Sequence, residues 1–351
     1  KNYDEKVLAY CPSQGNEGLL KAFSQYYQRL NINLETDDII VTTSGSEAIF
    51  FAMLAVCDVG DELLVFEPFY ANYEGIATQT GIKMRAIRTF PENGFHLPSK
   101  ETIEASITSK TRGILICNPN NPTGTVYSKE ELRNLAEIAE KHNIFLISDE
   151  VYREFVYDGQ EHTSVMTFDD YSDNLILVDS VSKRYSVCGA RIGLIASRNK
   201  DVMKAVLKFA QARLCSPTVE QIGAKAGIEM DMSYFKPILA EYQKRRDAIM
   251  AGLSKIPGVV CETPGGAFYC IVKLPVSNAE EFAKWLLTDY DYDGDTVLVA
   301  PAESFYLTPG LGINEVRLSY VIEVDKINRA MEVLAAALKE YQMLDRIELA
   351  A

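Results

Sequence analysis

The chain has 351 residues, 47% of them hydrophobic and 24% charged, enough for one large globular domain with a smaller companion. A formal net charge of −14 argues against a general partnership with nucleic acid or an anionic membrane surface, while leaving room for a small cationic pocket. No apolar run approaches the roughly 18 residues of a membrane span, and no secretory leader is expected from the segment that begins at Lys1.

The seven cysteines (Cys11, Cys57, Cys117, Cys188, Cys215, Cys261 and Cys270) form an odd set without a C-x-x-C pair. That fits a reducing, cytoplasmic compartment better than a disulfide scaffold. His96, His142 and His162 are too scattered for a histidine-rich metal site. No metal is expected, and all three are expected at the surface.

Tyr10-Cys11-Pro12-Ser13-Gln14-Gly15 reads as a turn, and residues 17–30 (EGLLKAFSQYYQRL) carry apolar positions at helical spacing. The β-branched run 39–43 predicts a strand, followed by Ser44-Gly45-Ser46 and an apolar helix over 48–57. Such a junction suits an anion, because the first N–H groups of a helix are unpaired and its dipole favours negative charge. A plain serine N-cap fits the same residues. Strands follow at 62–66, 82–87 and 113–117. The first runs into the aromatic cluster Glu67-Pro68-Phe69-Tyr70-Ala71-Asn72-Tyr73, which opens a helix, and the last into the turn-rich Asn118-Pro119-Asn120-Asn121-Pro122-Thr123-Gly124. Ser128-x-x-Glu131 is a capping box for a helix reaching about His142. Residues 144–147 predict a strand ending at Ser148-Asp149-Glu150-Val151-Tyr152.

The apolar run 174–178 (NLILV) predicts a buried strand leading into Asp179-Ser180-Val181-Ser182-Lys183. Arg191 lies eight residues past that lysine, just before another strand at 193–197. An amine held beside a bound phosphate fits this pattern, and so does a surface turn with two stray cations. Repeated βα units imply an α/β fold, a mostly parallel sheet with helices on both faces. Ligands of such sheets bind outside the carboxyl ends of the strands, where Ser44–Ser46, Asn121, Asp149 and Lys183 all fall. Long helices are then predicted at 201–214 and 233–255, the second broken by Pro257-Gly258. A smaller α+β segment follows, with strands at 267–272, 297–300 and 316–320 and helices at 279–287 and 324–341. The division expected is a large domain, 1–239, and a small C-terminal domain, 240–351. Neither G-x-G-x-x-G nor G-x-x-x-x-G-K-[ST] occurs, so dinucleotide and P-loop readings lack their motifs.

Together, YCPSQG (10–15), TSGSEA (43–48), EPFYANY (67–73), NPNNPTG (118–124), SDEVY (148–152), SVSKRYSVCGARIG (180–193) and EVRLSYV (315–321) resemble the class I aminotransferases. These are pyridoxal-phosphate (PLP) enzymes of fold type I, and the resemblance spans essentially the whole chain. KRYSVCGARIG, QARLCSPTVEQIG (211–223) and FYLTPGLG (305–312) resemble an aspartate aminotransferase branch. The resemblance implies that Lys183 carries the cofactor covalently and moves the substrate proton, and that Asp149 pairs with the pyridine nitrogen. Asn121 and Tyr152 would bond the ring oxygen, with Asn121 also at the substrate, and Tyr70 would stack on the ring. Ser44, Gly45, Ser46, Ser180 and Arg191 would bind the phosphate, and Tyr10 would reach the phosphate of the other subunit in a homodimer with shared sites. Arg317 would pair with the substrate α-carboxylate. Read singly, Asp149 is also a helix cap, Tyr70 and Tyr152 half-buried core aromatics, and Arg317 a strand-face cation.

The implied reaction moves an amino group from aspartate or glutamate to a 2-oxo acid such as 2-oxoglutarate. A second cation must then hold the distal carboxylate. Arg213, beside Leu214-Cys215-Ser216-Pro217, is the leading candidate and Lys225 a weaker one. A solvated helix-end cation fits Arg213 equally well. The alternatives are a PLP enzyme for alanine or aromatic amino acids, a β-lyase, or a non-enzymatic PLP-binding regulator. Such regulators carry a fused DNA-binding domain, and no helix-turn-helix segment or basic patch is evident. One departure stands out: the family has an N-terminal arm and a segment with a substrate-contacting glycine ahead of Y-x-P-x-x-G, and here nine residues precede Tyr10.

Overall fold

The computed structural model describes residues 7–348. In chain order its main elements are α1 (Glu17–Arg29), β1 (Ile39–Thr42), α2 (Ser44–Val56), β2 (Glu62–Glu67), α3 (Asn72–Thr80), β3 (Lys83–Arg88), α4 (Lys100–Ala105), β4 (Thr111–Cys117) and α5 (Lys129–Lys141). Next come β5 (Phe145–Asp149), β6 (Leu175–Ser180), α6 (Val181–Arg184), β7 (Gly193–Ala196), α7 (Lys200–Arg213), α8 (Thr218–Ile228) and α9 (Phe235–Leu253). The chain closes with β8 (Tyr269–Lys273), α10 (Ala279–Thr288), β9 (Ala300–Pro301), β10 (Glu315–Ser319) and α11 (Val324–Glu348). No helix among the described residues is long and apolar enough to cross a membrane.

Seven strands form one sheet in the order β1-β7-β6-β5-β4-β2-β3. β3, β2, β4, β5 and β6 run parallel. Only β7 is reversed, antiparallel to both β6 and β1. The central strands are buried on both faces, which is why they read as unbroken apolar runs rather than alternating ones. β3 is an edge strand and carries Lys83, Arg85 and Arg88 outward, the charged edge that discourages pairing with other chains. Helices cover both faces. α2 packs under β6 and β7, and α5 lies against β4 and β5. The Ser128–Glu131 capping box forms as expected and starts α5.

A three-stranded antiparallel sheet, β8-β10-β9, makes the core of the C-terminal part. Residue 240, where the sequence reading divides the chain, lies inside α9. An aromatic cluster of Phe155, Tyr242, Phe268 and Tyr269 packs across that division.

Several sequence expectations need correction. α2 starts at Ser44 rather than 48, so Ser44-Gly45-Ser46 is its first turn. The strand expected at 297–300 is reduced to Ala300–Pro301, which alone pairs with β10. The strand expected from 267 starts at Tyr269, because Ala267 takes a left-handed conformation with φ 55°. α9 ends at Leu253, before the Pro257-Gly258 break is reached. His162 is not a surface residue. Its side chain is 10% exposed, with Nε2 3.1 Å from the Asn118 carbonyl, and burial pushes its pKa down to about 3, holding it neutral.

Gly193 opens β7 at the tightest point of the sheet. A Cβ there would come within 2.5 Å of the Ser44 carbonyl carbon and 2.7 Å of the Gly45 amide nitrogen, both backbone atoms that cannot swing aside. Gly189, four residues earlier, has nothing within 4 Å of its would-be Cβ. Gly193→Ala should therefore destabilise the protein by about 1–3 kcal/mol in denaturant unfolding, while Gly189→Ala stays within about 0.5 kcal/mol. Equal midpoints for both variants would contradict the close approach.

Candidate active site

The carboxyl ends of β1, β4, β5 and β6 surround one cavity of about 280 Å³. Because β7 is reversed, its first residue, Gly193, pairs with the last residues of β6 and β1, Ser180 and Thr42. Arg191, two residues before β7, is thereby delivered to the same edge. Ser44, Gly45 and Ser46 line the cavity from the first turn of α2. Ser44 has φ 74°, a strained conformation for a non-glycine residue, and Thr42 Oγ1 donates to its carbonyl at 2.8 Å. Glu47 Oε2 accepts the Thr43 amide at 2.6 Å and so closes the turn.

Lys183 lies in the short helix α6 and lines the cavity beside Ser180, Ser182 and Cys188. Its Nζ is 4.0 Å from Cys188 Sγ. Both flanks of the lysine are fixed. Ser180 Oγ donates to the Ile192 carbonyl at 2.9 Å and accepts the Ser182 amide at 3.1 Å. Arg184 is fully buried and pairs with Asp179 and, at 3.3 Å, with Glu154. Tyr27 donates to Asp179 Oδ2 at 2.6 Å, and Tyr26 donates to Glu154.

Asp149 ends β5 and is buried against the cavity. Among the described residues it has no ion pair. Its Oδ1 accepts the Val151 amide at 3.2 Å and its Oδ2 accepts the Tyr73 hydroxyl at 2.8 Å. Burial pushes its pKa up to about 6, against the pull of the Tyr73 and Val151 hydrogen bonds. Tyr70 and Tyr73 meet edge to face at 5.4 Å. Burial likewise holds the Tyr152 phenol well above its usual range. From the C-terminal part, Arg317 on β10 donates to Asn121 Oδ1 at 3.1 Å, and its guanidinium lies over the rings of Tyr269 (4.5 Å) and Phe305 (5.2 Å).

All but three of the expected site residues, Tyr10, Arg213 and the weaker candidate Lys225, thus line one cavity. Tyr10 is 81% exposed and lies outside it. Arg213 also lies outside, because its guanidinium is held elsewhere. It donates to Ser216 Oγ (2.8 Å) and the Val41 carbonyl (3.1 Å), and its Nε is 3.3 Å from Glu47 Oε1. Arg213 therefore braces the residue that closes the Ser44 turn. Lys225 is paired with Glu229 at 3.1 Å along the surface of α8. The lining residues with polar or sulfur side chains that sequence reasoning missed are Asn72, Tyr73, Cys117, Ser182, Cys188 and Tyr269. Only Tyr73 carried a readable signal, since it stands three residues after Tyr70 on one helical turn. Among the described residues no group of three or more His, Cys, Asp or Glu side chains is placed to hold a metal ion.

The donor set fits PLP. One cavity offers a helix start whose N–H groups suit an anion, an arginine, an amine, and a buried carboxylate without a cationic partner among the described residues, which a pyridinium N–H would supply.

The model of the family described as aminotransferase class I and II matches residues 2–334. The aspartate aminotransferase of Thermotoga maritima is 32% identical over 90% of this chain and 78% of its own length. Among solved structures, the aspartate aminotransferase of Thermus thermophilus with maleate superposes with a TM-score of 0.86 at 28% identity, covering 94% of this chain and 84% of that one. An alanine aminotransferase from Pyrococcus furiosus gives 0.86 at 31% identity, covering 95% and 84%. With its seven-stranded sheet, its cavity and a family match across nearly all its length, the chain belongs to the class I and II aminotransferases and is similar to their aspartate aminotransferases.

Proposed function

We propose that this aminotransferase works with PLP, with Lys183 as the lysine that carries it covalently. The observation that supports this best is the buried, cation-free carboxylate of Asp149 sharing one cavity with Lys183, Arg191 and the start of α2. When bound, the cofactor supplies an electron sink beside the substrate Cα. Asp149 would accept the pyridine N–H and keep the ring nitrogen protonated. Ser44, Gly45, Ser46, Ser180 and Arg191 would hold the phosphate, Arg191 through a planar fork that matches phosphate oxygens. Asn121 and Tyr152 would donate to the ring oxygen, and Tyr70 would cover the ring face. Lys183 Nζ would hold and move the proton at the substrate Cα. Arg317 would form a bidentate pair with the α-carboxylate. Its bond to Asn121 and the two aromatic rings around it hold the guanidinium in place beforehand.

Borohydride reduction of the yellow protein should fix the cofactor on the peptide containing Lys183, and label on any other lysine would refute the assignment. Lys183→Ala should still bind the cofactor weakly, yet lose transamination.

We propose aspartate or glutamate as amino donor and 2-oxoglutarate as acceptor. The names of the relatives support this, as does the dicarboxylate maleate in the Thermus thermophilus structure. One observation favours a second reading, a donor with a single carboxylate such as alanine or an aromatic amino acid. The cations lining the cavity are Lys183, Arg191 and Arg317, each with a role already, and Arg213 is engaged elsewhere. The readings separate on the loss of visible cofactor absorbance when single amino acids are added. Aspartate or glutamate should act at least about 10-fold faster than alanine or phenylalanine, and the reverse order would leave the second reading standing.

We further propose a homodimer with shared sites in a reducing, cytoplasmic setting. All seven cysteines are free thiols, which suits such a compartment. Val7, Leu8, Tyr10 and Leu214 are between 53% and 81% exposed, an apolar group that a second copy would cover. Thr218 Oγ1 donates to the Ala9 carbonyl at 3.4 Å and ties the Tyr10 segment to α8. Mixing inactive Lys183→Ala chains with inactive Tyr10→Phe chains should regenerate activity, because one hybrid site is intact. A fully active monomer in sedimentation would rule the shared site out.

A further inference from the structure

We infer that Tyr73 is a positioning residue for the cofactor ring, acting through Asp149. The inference rests on the PLP reading above. Tyr73 is 2% exposed and sits in the first turn of α3. Its hydroxyl donates to Asp149 Oδ2 at 2.8 Å, while Oδ1 is held by the Val151 amide at 3.2 Å. The two donors grip the carboxylate from different elements, one from α3 and one from the chain following β5. The carboxyl plane is therefore set before any ligand arrives, which is what a group aimed at a ring nitrogen needs. The same turn sets Tyr70, whose carbonyl accepts the Tyr73 amide at 2.9 Å and whose ring meets that of Tyr73 at 86°. One helical turn thus fixes both the aromatic side chain expected over the ring and the donor behind the ring's carboxylate partner.

A packing role alone would not need the hydroxyl. A phenylalanine would fill the same space, and a buried phenol demands a partner that phenylalanine would not. A buried carboxylate without a cation tends to take up a proton, as the raised pKa of Asp149 indicates. A protonated Asp149 could not hold a proton on the ring nitrogen. A donor fixed at Oδ2 favours the ionised carboxylate, and Tyr73 is that donor.

The test uses the holoenzyme loaded with PLP labelled with nitrogen-15 in the ring, read by NMR. The unaltered protein should show a protonated ring nitrogen, and Asp149→Asn should give the neutral pyridine position as reference. Tyr73→Phe should move the signal toward that reference and lower kcat roughly 10- to 100-fold, with KM changed less than about 3-fold. Replacing Tyr73 with 3-fluorotyrosine, which keeps the hydroxyl, should leave both signal and kcat near those of the unaltered protein. A Tyr73→Phe signal and kcat equal to those of the unaltered protein would overturn the inference, as would a 3-fluorotyrosine protein as impaired as Tyr73→Phe. If the unaltered protein retains no labelled cofactor at all, the PLP reading itself falls, a result distinct from either.

Discussion

The site depends on the reversal of one strand. β7 is the only strand of the large sheet that runs against its neighbours, so its beginning lies where β1 and β6 end. A parallel β7 would carry Arg191 to the opposite edge, roughly 13 Å away for a four-residue strand. The reversal also brings Gly193 against Ser44 and Gly45, so that the arginine and the helix start share one rigid junction. An anion held there would meet backbone N–H groups and a guanidinium brought to the same edge by the pairing of β7 with β6 and β1. Ser44 and Arg191, at φ 74° and 54°, carry the backbone strain of that arrangement.

Beneath the lysine lies a second constraint, made of charge rather than shape. Arg184 follows Lys183 directly and is buried among Asp179, Glu154, Tyr26 and Tyr27. Two of these come from α1, so the first helix reaches under the Lys183 turn. Buried ion pairs of this kind add little net stability, since desolvation offsets most of the attraction, but one misplaced partner leaves an uncompensated charge. The network therefore rewards one position of α6 and penalises others. Lys183 has one flank tied through Arg184 and the other through Ser180 and Ser182, while its own side chain faces the cavity.

Much of this was legible in the sequence because local pattern and local structure agree. The apolar runs at β4, β5 and β6 became buried strands, and Asn121, Asp149 and Lys183 followed at their carboxyl ends. Legibility failed where the deciding contact was distant in sequence. His162 gives no local sign of burial, because what covers it are Asn118 and Glu150 from other elements. Residues 297–300 have strand-like composition, but only Ala300 and Pro301 find a partner on β10. Tyr269 enters the site from the second sheet, far along the chain from every other ring that lines it.

Arg213 shows the same limit in a way that bears on specificity. Sequence reading counts cations, whereas a site needs cations whose hydrogen-bonding capacity is free to turn toward a ligand. Arg213 has two of its nitrogens bound to Ser216 and Val41 and the third beside Glu47, which itself closes the Ser44 turn. Turning it toward a substrate would free Glu47 from the brace on the Ser44 turn. If Lys183, Arg191 and Arg317 serve amine, phosphate and α-carboxylate as proposed, no further lining cation is left for a second carboxylate among the described residues. On the proposed homodimer, a second copy would supply the group that a dicarboxylic donor needs beyond these three, whereas a monocarboxylic donor needs none. The proposals about substrate and about assembly are therefore coupled, and both turn on the exposed segment around Tyr10, tied to α8 just past Arg213.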